Sequence, residues 1–173
     1  MAPTVHPADW RVEPLQKSHA RESFNCGHAA LNRYLQQQAR QDAQNQVAAV
    51  FVAFAPPRVQ VLGYYSLSAS SIPVAELPCD LTKKLPRYPL LPVTLLGRLA
   101  IDQSCKGQGL GQFLLLDALF KSLQAAASIA AMAVVVDAKD ATATAFYQHY
   151  GFVPLNTSAS KLFLSMKTIA TLF

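Results

Sequence analysis

The sequence predicts a single domain of α/β (α+β) class, and three observations carry that reading. The chain has 173 residues, an ordinary length for one domain and enough to bury a core. Hydrophobic residues make up 51% of it, in short runs that read as buried strands and in segments of helical spacing between them. One strand feeds a glycine-rich turn that opens directly into a helix. With 14% charged residues the composition excludes a disordered chain, and 11 prolines and 7 glycines without a short period exclude collagen-like or linker-like sequence. The longest unbroken apolar run, 129–136, is far short of the roughly 20 residues a membrane-spanning helix needs. The start, MAPTVHPADW, has no apolar stretch after a basic one, so no secretory signal is read. The expectation is one soluble, cytoplasmic domain over 1–173, with no membrane segment.

Residues 1–23 are polar and carry no strong period. After Cys26-Gly27-His28, residues 29–46 read as an amphipathic helix. Leu31, Tyr34, Leu35 and Ala39 form its apolar face, and Arg33, Gln36, Gln37, Arg40 and Gln44 its polar one. Residues 47–55 read as a buried strand, Pro56-Pro57-Arg58 as a break, and 59–69 as a second strand in a hairpin with the first. Residues 70–92 read as a loop, interrupted by Pro73, Pro78, Pro86, Pro89 and Pro92 and holding the basic cluster Lys83, Lys84 and Arg87. A third strand is expected over 93–102. A helix over 110–124 follows, with Phe113, Leu116, Phe120 and Leu123 along one stripe. A fourth strand over 129–137 leads to a short helix with Asp140 as N-cap and Gly151 as C-cap residue. Residues 152–155 and 161–166 supply the last strands, and there are no internal repeats.

Fifteen Lys and Arg against 10 Asp and Glu leave a net charge of +5. Such an excess favours encounter with nucleotides, nucleic acid or acidic proteins, or else is a solvated surface that leans basic. Cys26, Cys79 and Cys105 are odd in number and lack metal-knuckle spacing, which reads as reduced thiols and no metal site. The informative segment is Lys106-Gly107-Gln108-Gly109-Leu110-Gly111-Gln112. A strand–glycine turn–helix aims several backbone N–H groups and the positive end of the helix dipole at one point, an anion site suited to phosphate. Gln112 stands where the dinucleotide fingerprint has its third glycine, and the P-loop pattern is absent. A ligand-free connector is the alternative.

These residues resemble a known family. Lys106-x-x-Gly109-x-Gly111 is similar to the [Q/R]-x-x-G-x-[G/A] motif of the GNAT superfamily of acyl-CoA N-acetyltransferases. LGRLAID at 96–102, FYQHYGF at 146–152 and the opening Phe24-Asn25-Cys26-Gly27, with Leu31 and Leu35, resemble one branch more closely: the acetyltransferase toxins of bacterial type II toxin–antitoxin pairs. The resemblance runs from about residue 13 to the C-terminus. It implies a mixed, mostly antiparallel sheet flanked by helices, with acetyl-CoA as co-substrate where two central strands splay apart. The pyrophosphate would lie on the amides of Gln108, Gly109, Leu110, Gly111 and Gln112, beside Gly107. The pantetheine arm would pair with Leu99, Ala100 and Ile101, and Phe146 would line the cofactor. Lys106 departs from the motif's Gln or Arg, a point charge in place of a planar group.

The resemblance also assigns Tyr147 as the catalytic acid that protonates the departing CoA thiolate. A phenol with a pKa near 10 holds its proton at neutral pH and needs no tuning for this. Packing beside Phe146 and Tyr150 is the plainer reading of the same side chain. Asp137 and His149 are titratable residues nearby in sequence, and His149 reads as a helix-end histidine. The implied substrate is the α-amino group of aminoacyl-tRNA, whose acetylation blocks translation. Arg33, Arg40, Lys83, Lys84, Arg87 and Arg98 are the candidate tRNA contacts. The implied partners are a ribbon-helix-helix antitoxin and, through it, operator DNA, with a possible homodimer. The alternatives are a GNAT enzyme acting on a small amine, peptide or protein, and a CoA-binding corepressor module without catalysis.

Overall fold

The computed structural model describes residues 9–83, 85, 88–156 and 158–173. The seven strands are β1 (Arg11–Pro14), β2 (Ala49–Phe54), β3 (Gly63–Pro73), β4 (Leu90–Ile101), β5 (Ala133–Asp137), β6 (Val153–Leu155) and β7 (Ser158–Ser165). The helices are α1 (Ala29–Arg33), α2 (Ala39–Gln44), α3 (Cys79–Thr82), α4 (Leu110–Ala126), α5 (Ala141–His149) and α6 (Met166–Ala170). The strands lie in one mostly antiparallel sheet of order β1-β2-β3-β4-β5-β7-β6, with β4 and β5 parallel. Among the described residues no helix is long and apolar enough to cross a membrane.

The chain forms two compact units, neither continuous in sequence. The first, residues 1–68 with 98–118, contains β1, β2 and the helical segment that begins at α1. The 29–46 helix forms as expected, but between α1 and α2 it widens into a π turn, Tyr34–Gln38. Its apolar face buries Tyr34, Leu35 and Ala39 against Phe24, Val50, Val52, Val61, Tyr64 and Ala100. The β2–β3 hairpin forms as well, pairing Ala49 with Leu67 and Ala53 with Gly63. β1 was not legible: four residues pairing along β2, from Arg11↔Phe54 to Pro14↔Phe51, are too few to show a period.

The second unit, residues 69–97 with 119–173, has its core in Ile72, Leu77, Leu91, Val93, Ala133, Val135, Leu155 and Phe163. The stretch expected as loop, 70–92, is more ordered than its prolines suggest. β3 runs on to Pro73, α3 follows Pro78, and β4 starts at Leu90. Pro92 sits inside β4, where its carbonyl accepts from Met132 N–H at 2.9 Å. β5 begins at Ala133 instead of 129. Helical hydrogen bonding continues past α4, with Ile129 N–H reaching Ala125 carbonyl at 2.9 Å, and leaves Ile129 81% exposed.

The α4 stripe is the clearest correction. Leu110, Leu114, Leu115, Ala118 and Leu119 are buried, whereas Phe113 and Phe120 are exposed. A helix this apolar carries two stripes at helical spacing, and the compact leucine stripe takes the core. Phe113 instead meets Trp10 at 5.5 Å between ring centroids, and Phe120 meets Phe173 at 5.2 Å.

Burial raises the pKa of four tyrosines. Tyr34 is pushed up to about 12 by burial and then by its hydrogen bond to Asp42. Burial also holds Tyr64, Tyr65 and Tyr147 above their ordinary value, with the Asp117 hydrogen bond adding to the effect at Tyr65. In the unfolded chain these phenols ionise near pH 10. Above that pH the unfolded state binds fewer protons than the folded one, so stability falls as pH rises. Chemical denaturation between pH 9 and 11.5 is expected to show full stability at the lower end. The loss sets in above about pH 10, at up to about 1.4 kcal/mol per pH unit for each of Tyr64, Tyr65 and Tyr147.

Candidate active site

The first unit holds the glycine turn. β4 pairs with β5 from Thr94↔Val134 to Leu96↔Val136, then runs on through Leu99, Ala100 and Ile101 to end at Asp102. Asp102 is buried, and its carboxylate organises the turn that leaves the strand. One oxygen accepts from Ser104 N–H at 3.0 Å and Ser104 Oγ–H at 2.7 Å, and the other accepts from Asn25 N–H at 2.9 Å. Asp102 N–H donates to Leu62 carbonyl at 2.7 Å, and Gln103 N–H to Asn25 carbonyl at 2.9 Å. Asp102 thus caps the 3-10 turn Gln103–Cys105 and ties it to the Phe24–Gly27 segment. Sequence reading gave it no role, although it ends the LGRLAID motif that carries the family resemblance.

Beyond this turn Gly107 and Gly109 adopt φ of +75° and +86°, and a Cβ on either would meet no atom within 4 Å. Backbone conformation requires glycine there, and open space faces both residues. Gln108 Nε2–H braces the turn by donating to Ser104 carbonyl at 3.1 Å. The first helical bond of α4 is Phe113 N–H to Gly109 carbonyl, 3.0 Å. The N–H groups of Gly109, Leu110, Gly111 and Gln112 therefore have no acceptor among the described residues. That is the arrangement a helix N-terminus offers to an anion. Lys106 is exposed beside it, Ala100 is buried, and Leu99 and Ile101 are half-buried. Burial raises the pKa of the Cys105 thiol, which marks an inert buried cysteine and not a nucleophile.

The second unit holds Tyr147, on α5. Asp140 caps the helix by accepting from Ala143 N–H at 2.8 Å, as the sequence predicts. The other end closes in a Schellman arrangement: Gly151 N–H reaches Gln148 carbonyl at 3.0 Å, and Phe152 N–H reaches Tyr147 carbonyl at 3.1 Å. Gly151 takes φ +94° to allow this, one residue beyond the C-cap, Tyr150. Phe152 packs edge-on against Tyr147 at 5.4 Å, and Phe146 does so at 5.2 Å. Tyr147 is thereby locked and buried, yet among the described residues its hydroxyl has no hydrogen-bond partner. The other buried tyrosines are committed: Tyr34 to Asp42, Tyr64 to Leu31 carbonyl and Tyr65 to Asp117.

Of the basic residues, Arg33 and Lys83 are exposed and Arg40 is half-buried; Lys84 and Arg87 lie outside the described residues. Arg98 is half-buried, with its guanidinium carbon 3.5 Å from the centre of the Tyr34 ring. Asp137 and His149 are exposed, and His149 rests edge-on against Tyr150 at 4.9 Å. Among the described residues no three His, Cys, Asp or Glu gather as a metal site.

Residues 46–154 match the acetyltransferase (GNAT) domain family. The chain is 37% identical over 145 residues to a tRNA-acetylating toxin of Mycobacterium tuberculosis, covering 84% of this chain and 85% of that one. A solved structure of KacT carrying one Tyr-to-Phe substitution superposes with TM-score 0.91 at 31% identity, covering 95% of this chain and 99% of that one. AtaT complexed with acetyl-methionyl-tRNAfMet superposes with TM-score 0.89 at 34% identity, with the same coverage of 95% and 99%. Other AtaT structures of this similarity hold acetyl-CoA, or the partner AtaR together with DNA.

Replacing Asp102 by Ala would leave the Asn25 and Ser104 donors of three part-buried hydrogen bonds without their acceptor. Asp102→Ala is expected to destabilise the fold by about 3 kcal/mol, and Asp102→Asn, which keeps an acceptor, by less. Denaturant midpoints at constant m-value provide the check.

Proposed function

The chain belongs to the GNAT acetyltransferase family, and from that premise we propose that it is a toxin whose single catalytic domain moves the acetyl group of acetyl-CoA onto the α-amino group of an aminoacyl-tRNA, blocking translation. The observation that carries the chemistry is the uncommitted hydroxyl of Tyr147 on a helix end locked by Gly151 and Phe152. A relative named for tRNA acetylation, and a neighbour solved with acetyl-methionyl-tRNA, support the substrate class. Neighbours studied with one tyrosine changed to phenylalanine support a tyrosine as the acid.

Acetyl-CoA supplies an activated thioester. The free N–H groups of Gly109 to Gln112, with Gln108 and the open space over Gly107 and Gly109, fit its pyrophosphate, and Lys106 adds a nearby cation. Backbone groups of Leu99, Ala100 and Ile101 pair with its amide-bearing arm, and Phe146 packs beside it. The amine nitrogen forms a bond to the acetyl carbon as the carbon–sulfur bond breaks; its surplus proton leaves to solvent, and Tyr147 gives the sulfur a proton. A phenol of ordinary pKa near 10 already holds its proton at neutral pH, and burial only raises that value; after protonating the sulfur, Tyr147 regains a proton from solvent. A free α-amine has a pKa near 8, lowered further by the ester linkage to tRNA, so a strong base is unnecessary. Arg33, Arg40 and Lys83, with Lys84 and Arg87, contact tRNA phosphates. A ribbon-helix-helix antitoxin neutralises the enzyme and carries it to operator DNA; the enzyme works in the cytoplasm, as a homodimer.

Transfer of labelled acetyl from acetyl-CoA to a total charged tRNA pool is the direct test. Wild type is expected to label aminoacyl-tRNA. Tyr147→Phe is expected to lose about 10²–10⁴-fold in rate with acetyl-CoA binding and fold stability unchanged, since no protein hydrogen bond is lost. Absence of label on tRNA in the presence of acetyl-CoA binding would overturn the reading in favour of a small amine, peptide or protein acceptor, or of a non-catalytic corepressor. Gly109→Ala is expected to weaken acetyl-CoA at least about tenfold by calorimetry, and the strained φ to cost about 1–2 kcal/mol of stability.

A further inference from the structure

The guanidinium carbon of Arg98 lies over the Tyr34 ring, 3.5 Å from its centre and well inside cation–π range. Stacking engages the face of a guanidinium and leaves its in-plane N–H donors pointing outward. Among the described residues none of those donors meets a protein acceptor. The platform beneath is rigid: Tyr34 stacks in turn on Tyr64, 6.2 Å away and 21° from parallel, and Tyr64 donates to Leu31 carbonyl at 2.8 Å.

Asp42 is the carboxylate that would quench this cation. Its charge is felt at Arg98, but it makes no ion pair with it among the described residues. Instead one oxygen accepts from Gln38 Nε2–H and the other from Tyr34 Oη–H, both at 2.8 Å. The π turn makes the second bond possible. Residues eight apart on an unbroken α-helix point roughly 80° away from each other. A turn holding more residues closes that gap and brings Asp42 round to Tyr34.

We propose that Tyr34, Gln38 and Asp42 are positioning residues that hold Arg98 stacked and unpaired, so that its free donors grip a phosphate oxyanion of the tRNA acceptor end. The assignment rests on the proposed activity. Phosphate could also come from acetyl-CoA, and the experiment separates the two sources.

Steady-state transfer to charged tRNA, with acetyl-CoA affinity measured in parallel, tests it. Arg98→Lys keeps the charge but loses the stacked fork, and is expected to raise KM for aminoacyl-tRNA about tenfold with kcat and acetyl-CoA affinity unchanged. Arg98→Gln is expected to reduce the salt slope of tRNA binding by about 0.7. Tyr34→Phe keeps the ring but frees one Asp42 oxygen to capture Arg98, so KM rises; the double change Tyr34→Phe with Asp42→Asn removes the captor and restores KM. Exposed Gln38→Ala, which frees the other oxygen, gives the same rise without touching the core. Wild-type transfer with unaltered KM in Arg98→Lys and Gln38→Ala overturns this inference alone. Failure of the double change to restore KM, or weakened acetyl-CoA in Arg98→Lys, also overturns it. No wild-type transfer to tRNA overturns it together with the proposed function.

Discussion

The structure turns on the buried carboxylate of Asp102. A charge in that position costs several kcal/mol unless donors surround it, and Asn25 N–H, Ser104 N–H and Ser104 Oγ–H do so. Satisfying it forces the chain after β4 into a tight turn and pulls the Phe24–Gly27 segment against it. That segment is itself closed by Asn25 and Asn32: Asn25 Oδ1 accepts from Gly27 N–H at 2.9 Å and from Asn32 Nδ2–H at 3.1 Å, and Asn32 Oδ1 accepts from Cys26 N–H at 2.9 Å. The start of α1 and the approach to α4 are thus built as one hydrogen-bonded piece. The outward-facing amides of the glycine turn inherit their direction from it.

The four buried tyrosines show how one residue type serves opposite ends. Burying a phenol normally requires a partner for its hydroxyl, and Tyr34, Tyr64 and Tyr65 each have one. Tyr147 is buried too, but among the described residues its hydroxyl has no partner. It is held by its backbone and by two aromatic neighbours, a mount that fixes the ring and leaves the oxygen available. Burial raises its pKa, so the proton stays on the oxygen at neutral pH and passes to sulfur only as the carbon–sulfur bond breaks.

Much of this was legible in the residues because the physics there is local. Asp140 and Gly151 bracket α5 through capping rules that need only neighbouring backbone, and the glycine turn announces itself through φ. The hairpin and the buried face of the first helix follow from apolar spacing. The features that were not legible depend on partners distant in sequence. Asp102 reads as an ordinary polar residue until Asn25 arrives from 77 positions away. In α4 both apolar stripes satisfy the helical period, and only packing chooses the leucines over Phe113 and Phe120. The π turn of Tyr34–Gln38 leaves no trace in hydrophobic spacing, since Tyr34, Leu35 and Ala39 face the core with or without it. Arg98 read as a charge inside a strand and a candidate tRNA contact; that it stands on a tyrosine could not be seen from either position alone.

The departure at Lys106 can be weighed on the same basis. The family motif has Gln or Arg there, residues able to make directed hydrogen bonds that shape a loop. In this chain the shaping is done elsewhere: by Asp102 from below, by Gln108 reaching back to Ser104 carbonyl, and by positive φ at Gly107 and Gly109. Lys106 is exposed, and among the described residues its side chain meets no partner, so the amides keep their aim whatever stands at 106. A residue that neither supports the turn nor is packed by it contributes through charge alone, which a lysine supplies as well as an arginine. Anion binding by fixed backbone dipoles tolerates a change of side chain at its rim, because the donors that matter belong to no side chain at all.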